Sequence, residues 1–322
     1  MSETLDKLIL RTIIALTLCL LLLIYKYTHF SLKVSLRPKL TKKFYPSQNP
    51  ADTLYFFSRI LGVAIILTAP FFDIEYGPFN AFLGFMLQAL IAITFYIISI
   101  YIMESITLFH FEYQDEVVTR KNICYSIICF AEATAIALVI KSLITYSNFS
   151  FFLLLYYWLL AIVLLGLSSK LYYFRSNMEF NKLMIHKNLA LGLSYSGHLL
   201  GAAIIIISSF NQPSASIEDF TFTVLLKIIL AIILLPIIQQ GIIIVFKIKN
   251  EIAEDASAIS NNESITKEVT DLTELIDLTG KEHYGPTFSQ GIYEGVLFFT
   301  SSFLTSTVTG PLNFGNFYPL LQ

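Results

Sequence analysis

The chain has 322 residues, 55% of them hydrophobic, and its mean hydropathy is +0.68. Only 14% are Asp, Glu, Lys or Arg, against about 25% in an ordinary soluble domain. This composition excludes a soluble enzyme, a disordered chain and a disulfide scaffold. The net charge of −2 gives no electrostatic case for nucleic-acid binding. What remains is an all-α polytopic membrane protein whose first partner is the lipid bilayer.

A spanning helix needs about 20 apolar residues. Eight runs qualify, at 8–27, 51–72, 79–109, 122–143, 151–169, 188–209, 222–246 and 287–306. The first lacks a basic leader and a small-x-small cleavage site, so it is expected to stay as a span. The third is long enough to tilt or protrude. Lys33, Arg37, Lys39, Lys42 and Lys43 follow span one; Arg120 and Lys121 follow span three; Lys170, Arg175, Lys182 and Lys187 follow span five. The other short loops are poor in Lys and Arg, with Lys141 alone after span four. The positive-inside bias therefore puts the odd-to-even loops in the cytoplasm and both termini outside. Cys19, Cys124 and Cys129 lie in apolar runs and read as small packing residues.

The segment 247–284 is the one sizeable soluble loop. Its stretch 251–282 carries nine acids and two lysines. Ser260-x-x-Glu263 is a capping-box pattern, and Ile265, Val269, Leu272 and Ile276 recur at helical spacing. An acidic amphipathic cytoplasmic helix is expected there. It either lies on its own protein or docks a cytoplasmic protein partner at 260–278.

An internal repeat organises the spans. Asn49, Asn122 and Asn188 open spans two, four and six. Nine residues on from each stand Ser58, Ala131 and Gly197, and thirteen on stand Gly62, Ala135 and Gly201. Positions four apart share a helix face, and small residues there let helices pack closely, as in Gly197-x-x-x-Gly201 and Gly291-x-x-x-Gly295. Ten residues on comes an ionisable residue each time: Arg59, Glu132 and His198. Ten residues at 1.5 Å each is about 15 Å, near the bilayer midplane. Glu294 provisionally completes the set, ten beyond Tyr284. Two hairpins make a half. The expected domains are 1–146 and 147–322, two parallel four-helix membrane repeats with about eight transmembrane helices in all.

The pattern Asn188-x-Ala-x-Gly-x-Ser-x-x-Gly-x-x-x-Gly resembles the bacterial inner-membrane proteins of the domain-of-unknown-function-350 family. Those are four-span proteins of two hairpins, each with an Asn-x-Ala-type start to its second helix. The resemblance implies a tandem duplication along nearly the whole chain and a bacterial inner-membrane setting. It brings no catalytic residues, and at most an association with membrane-stress systems. Asn122 lacks the Ala two positions on, and span eight lacks the Asn.

Intramembrane charge is costly unless paired, so Arg59, Glu132, His198 and Glu294 form a candidate polar centre. One reading is two internal ion pairs that hold each half together. The other is a centre that binds an ion or relays protons, with His198 titrating and Arg59 clamping a carboxylate or anion. Pro236, Gln239, Gln240 and Gly241 mark a candidate helix break in span seven, with Gln88 a weaker echo in span three.

No cofactor and no metal is expected. Of His29, His110, His186, His198 and His283, only His198 lies deep in a span, whereas a bis-His haem wants two at matching depth. Ser194 and Ser196 do not form a nucleophile elbow, and Gly280-Lys281 lacks the upstream glycine of a phosphate loop. The chain is therefore expected to be no enzyme. It reads as an ion or proton transporter or channel, or else as a scaffold or stress sensor that recruits a partner through its acidic loop. Its small-residue faces could also serve a homo-oligomer.

Overall fold

A computed structural model describes residues 2–32, 37, 45–70, 77–147, 150–176, 178–212, 216–248 and 285–312. The described residues form helices and no strand. In chain order these are α1 (Ser2–Leu32), α2 (Pro50–Ile66), α3 (Pro78–Thr107), α4 (Ile123–Tyr146), α5 (Phe151–Arg175), the short α6 (Phe180–Ile185), α7 (Leu189–Phe210), α8 (Ile217–Val245) and α9 (Phe288–Thr309). The expected acidic helix and the segment 260–278 lie outside the described residues.

Six of these helices are long and apolar enough to cross a membrane: α1, α3, α4, α5, α7 and α8. Among the described residues the count by length and composition is six. At 17 residues, α2 runs only about 25 Å, short of a hydrocarbon core of about 30 Å. With 22 residues α9 is long enough, but its Ser, Thr, Gln and Glu residues make it too polar.

The helices opened by the repeated Asn sit side by side. α2 packs on α4, α4 on α7, and α7 on α9. Around this row α3 packs on α4, α5 on α7 and α8 on α9, while α1 packs on α3. Burial follows from the arrangement. In the most apolar window of α4, 72% of residues are buried, against 17% in α8, whose apolar side chains point outward.

Close approach in the row depends on missing side chains. A Cβ on Gly197 would fall on the backbone of Gly295, and one on Gly291 on the backbone of Ala190. The two small-xxx-small faces expected from the sequence therefore pack against each other. Between α7 and α4 the approach is looser: a Cβ on Gly192 would come within 3.3 Å of the Cys124 carbonyl, a tight contact. Cys124 and Cys129 are buried, whereas Cys19 is exposed.

The repeated Asn has two duties. Its side-chain oxygen caps its own helix: Asn49 accepts from the amides of Ala51 and Asp52 at 3.1 and 3.2 Å, Asn122 from Tyr125 at 3.4 Å, and Asn188 from Ala190 at 2.8 Å. Its side-chain nitrogen donates forward to the approach of the next inner helix. Asn49 reaches the Val117 carbonyl at 2.8 Å, Asn122 that of Met184 at 3.0 Å, and Asn188 that of Pro286 at 3.1 Å. Each unit is thereby fastened to the next. The cap of α9 is Thr287, which accepts from Gln290 at 3.3 Å.

A short helical turn precedes three of these caps: a 3-10 turn at Pro46–Gln48, a π-helical turn at Gln114–Thr119, and α6. Two of the turns end on a lysine in the left-handed region, Lys121 at φ 52° and Lys187 at φ 55°. A non-glycine residue there is uncommon. After α6, bonds from Lys187 N–H to the Met184 carbonyl and from Asn188 N–H to that of Leu183 close a Schellman motif.

Candidate functional site

The four charges expected to meet as one centre fall into three settings. In the first half, Arg59 on α2 is 2% exposed. Its Nη2 donates to Glu104 Oε1 of α3 at 2.5 Å, and its guanidinium carbon lies 4.8 Å from the centre of the Tyr55 ring. Tyr55 also donates to Glu104 at 3.3 Å, and Tyr96 donates to the Arg59 carbonyl at 3.4 Å. The expectation of an Arg59–Glu132 ion pair is thus corrected, because the carboxylate that Arg59 binds is Glu104. The reason is side-chain direction. Helical side chains lean towards the helix N-terminus, so the long Arg59 carries its charge back along α2, to a depth where the last turn of α3 presents Glu104.

Just beyond the Arg59 site, outside the spanning helices, Tyr113 donates to Asp52 at 2.6 Å. Burial, then that bond, push its phenol well above its ordinary value.

Glu132 on α4 is fully buried in the central row. α4 packs on α7 and α5, which carry Tyr195 and Tyr173. These tyrosines, Tyr195 buried and Tyr173 half-buried, belong to a polar chain. Tyr195 donates to Ser169 at 3.0 Å and shares a 3.1 Å hydrogen bond with Thr107, while Tyr173 donates to the Thr107 carbonyl at 3.1 Å. Lys170 Nζ donates to the neighbouring Ile106 carbonyl at 2.9 Å. The chain joins α3, α5 and α7, and α4 with Glu132 packs on the last two.

In the second half, His198 does not pair with Glu294. Its Nε2 lies 3.0 Å from the Ser168 carbonyl and 3.2 Å from the Ser168 hydroxyl, and its ring is 4.2 Å from that of Phe298. Glu294 accepts from Ser194 at 3.0 Å and Gln290 at 3.2 Å, and Ser194 accepts from Tyr172 at 3.1 Å. Counted from its true cap Thr287, Glu294 stands seven residues in, about 10 Å along the axis. The provisional count from Tyr284 is corrected by that start.

The candidate break in span seven is not a break. α8 runs unbroken from Ile217 to Val245 through Pro236. Helix continuation keeps the remaining backbone groups bonded where lipid offers none. Gly241 has open space where a Cβ would sit. Gln239 is buried and accepts a hydrogen bond from Arg175 at the end of α5. Among the described residues no cluster of His, Cys, Asp or Glu could hold a metal ion.

Sequence reasoning missed Glu104, Arg175 and the tyrosines. Glu104 and Arg175 sit near span ends, where charges are ordinary. The tyrosines were hidden among abundant aromatics.

A bundle of apolar helices with charges enclosed in its row defines a helical, polytopic membrane protein. The family model described as "Domain of Unknown Function (DUF350)" matches residues 4–144 and 147–262. The chain belongs to that family and carries two tandem copies of its domain. No curated protein and no solved structure matches it.

Proposed function

We propose that this chain is a non-enzymatic, multi-pass protein of the bacterial inner membrane that moves protons through its central row by way of Glu132. In this reading α2 and α9 also cross, the halves 1–146 and 147–322 are parallel repeats, and the loops rich in Lys and Arg face the cytoplasm. The observation that carries it is a fully buried carboxyl on α4, the helix packed against α7 and α5, whose Tyr195 and Ser169 form a hydrogen-bonded run with Thr107. An acid at mid-span costs about 2.5–3.5 kcal/mol on insertion, and its retention among hydroxyls suits a group that gains and loses a proton. Hydroxyls both donate and accept, so the run can pass a proton between Thr107, at the end of α3, and the interior. Arg59 and Glu104 neutralise each other and serve as a fixed pair that holds α2 to α3.

The test is proton flux into proteoliposomes under an imposed pH gradient and voltage. Flux in the wild type that disappears in a folded Glu132→Gln variant is expected. No flux from a folded wild type would overturn the reading.

A further inference from the structure

Between α5, α7, α8 and α9 lies a groove of about 280 Å³ that is distinct from the Glu132 setting. Its walls are apolar, from Leu164 and Leu167 of α5, Ile205 of α7, and Ile228 and Ile232 of α8. One end is polar. There Arg175 stands exposed at the rim, bonded to the buried Gln239, with its guanidinium carbon 5.0 Å from the centre of the Phe298 ring. His198, 5% exposed, and Ser168 line the groove beside it. None of the lining residues is acidic, and among the described residues no carboxylate lies within ion-pair distance of Arg175.

We infer that this groove is a binding site for an anionic membrane phospholipid, with one acyl chain along the apolar walls and the headgroup phosphate at Arg175. Three observations fix the occupant. The groove opens sideways, because Leu167, Phe174 and Ile232 at its margin are exposed at 54%, 87% and 53% and continue the lipid-facing surface. From Arg175 back to Leu164 is eleven residues of α5, about 16 Å, which suits an extended chain lying along the helix. The volume is at the small end of pockets for drug-sized ligands, about 300–1,000 Å³, so one chain enters and the rest of the lipid stays in the bilayer. The charge then selects the headgroup. Arginine's planar fork matches a phosphate, Gln239 holds it in place, and the uncompensated cation favours a net negative lipid over a zwitterionic one. Lys170, Lys182 and Lys187 lie in sequence around the same end of α5, as expected of a surface that faces an anionic leaflet.

The experiment reconstitutes the full chain in nanodiscs doped with phosphatidylglycerol or phosphatidylcholine carrying a photoactivatable acyl chain. Cross-linked residues are then mapped by mass spectrometry. Phosphatidylglycerol should label the α5 and α8 walls, Leu164–Leu171 and Ile228–Leu235, several-fold more than phosphatidylcholine does. Arg175→Gln should reduce that labelling about fivefold, the worth of one basic residue at an anionic surface, and Arg175→Lys should keep most of it. Equal labelling by the two lipids, labelling elsewhere on the bundle, or labelling unchanged in a folded Arg175→Gln variant would each overturn the assignment. Should that variant not fold, the two lipids on the wild type still decide. The result is independent of proton flux.

Discussion

Arg59 in the first half and Arg175 in the second are each tied to the last turns of a flanking helix, α3 and α8 respectively. Their partners differ by one oxygen-for-nitrogen exchange. Arg59 meets the carboxylate Glu104 and is enclosed, whereas Arg175 meets the amide Gln239 and stands exposed at a rim. A carboxylate cancels the guanidinium charge and permits burial; an amide orients it and leaves the charge available. Arg59 and Arg175 sit at different places in their halves, on α2 and at the end of α5; the first is a structural cation, and the second is the one we assign to lipid recognition.

Breaking the enclosed pair should have the largest effect. Arg59→Ala leaves Glu104 its bond from Tyr55 but removes its counter-charge, and is expected to cost about 3–5 kcal/mol, read by unfolding in detergent micelles. Arg175→Gln should cost about 1 kcal/mol or less, the net worth of one hydrogen bond. Equal losses would erase the distinction between the halves.

Next in size is the row itself. Gly197→Val drives a side chain into the Gly295 backbone and should cost at least about 1–3 kcal/mol. Gly241→Ala, in open space, should be neutral or stabilising by up to about 1 kcal/mol.

The Asn fasteners come third. Asn188→Asp keeps the cap on Ala190 but removes the donor to Pro286, and should still lose about 1 kcal/mol. If Asn188→Asp were as stable as wild type, the forward bond would be idle.

Tyr113→Phe should show the smallest loss, up to about 1 kcal/mol. Because the folded phenol is held above its unfolded value of about 10, its contribution is fully present below that pH. It fades as pH rises through the folded value, so wild type and Tyr113→Phe should converge in strong alkali.

Much of this architecture was legible in the sequence. The Asn at 49, 122 and 188 marked true helix starts, because a cap must sit at a fixed place whatever packs around it. The glycine faces at 197/201 and 291/295 marked a real close approach, since only missing side chains allow it. The forward bonds of the Asn amides were not legible: a carbonyl acceptor leaves no residue signature. Nor were the left-handed turns, because lysine rather than glycine occupies them. The site was less readable than the fold. Depth was counted along the backbone, and a long arginine moves its charge a turn away from its own Cα. The frame of α9 was misjudged by starting at Tyr284 when Thr287 is the cap.

The most direct test is proton flux in proteoliposomes, with Glu132→Gln and Arg175→Gln measured beside the wild type at equal folded protein. The expected result is flux in the wild type and in Arg175→Gln, and none in Glu132→Gln. Undiminished flux in Glu132→Gln would contradict the assignment of the buried carboxyl as the proton-carrying group.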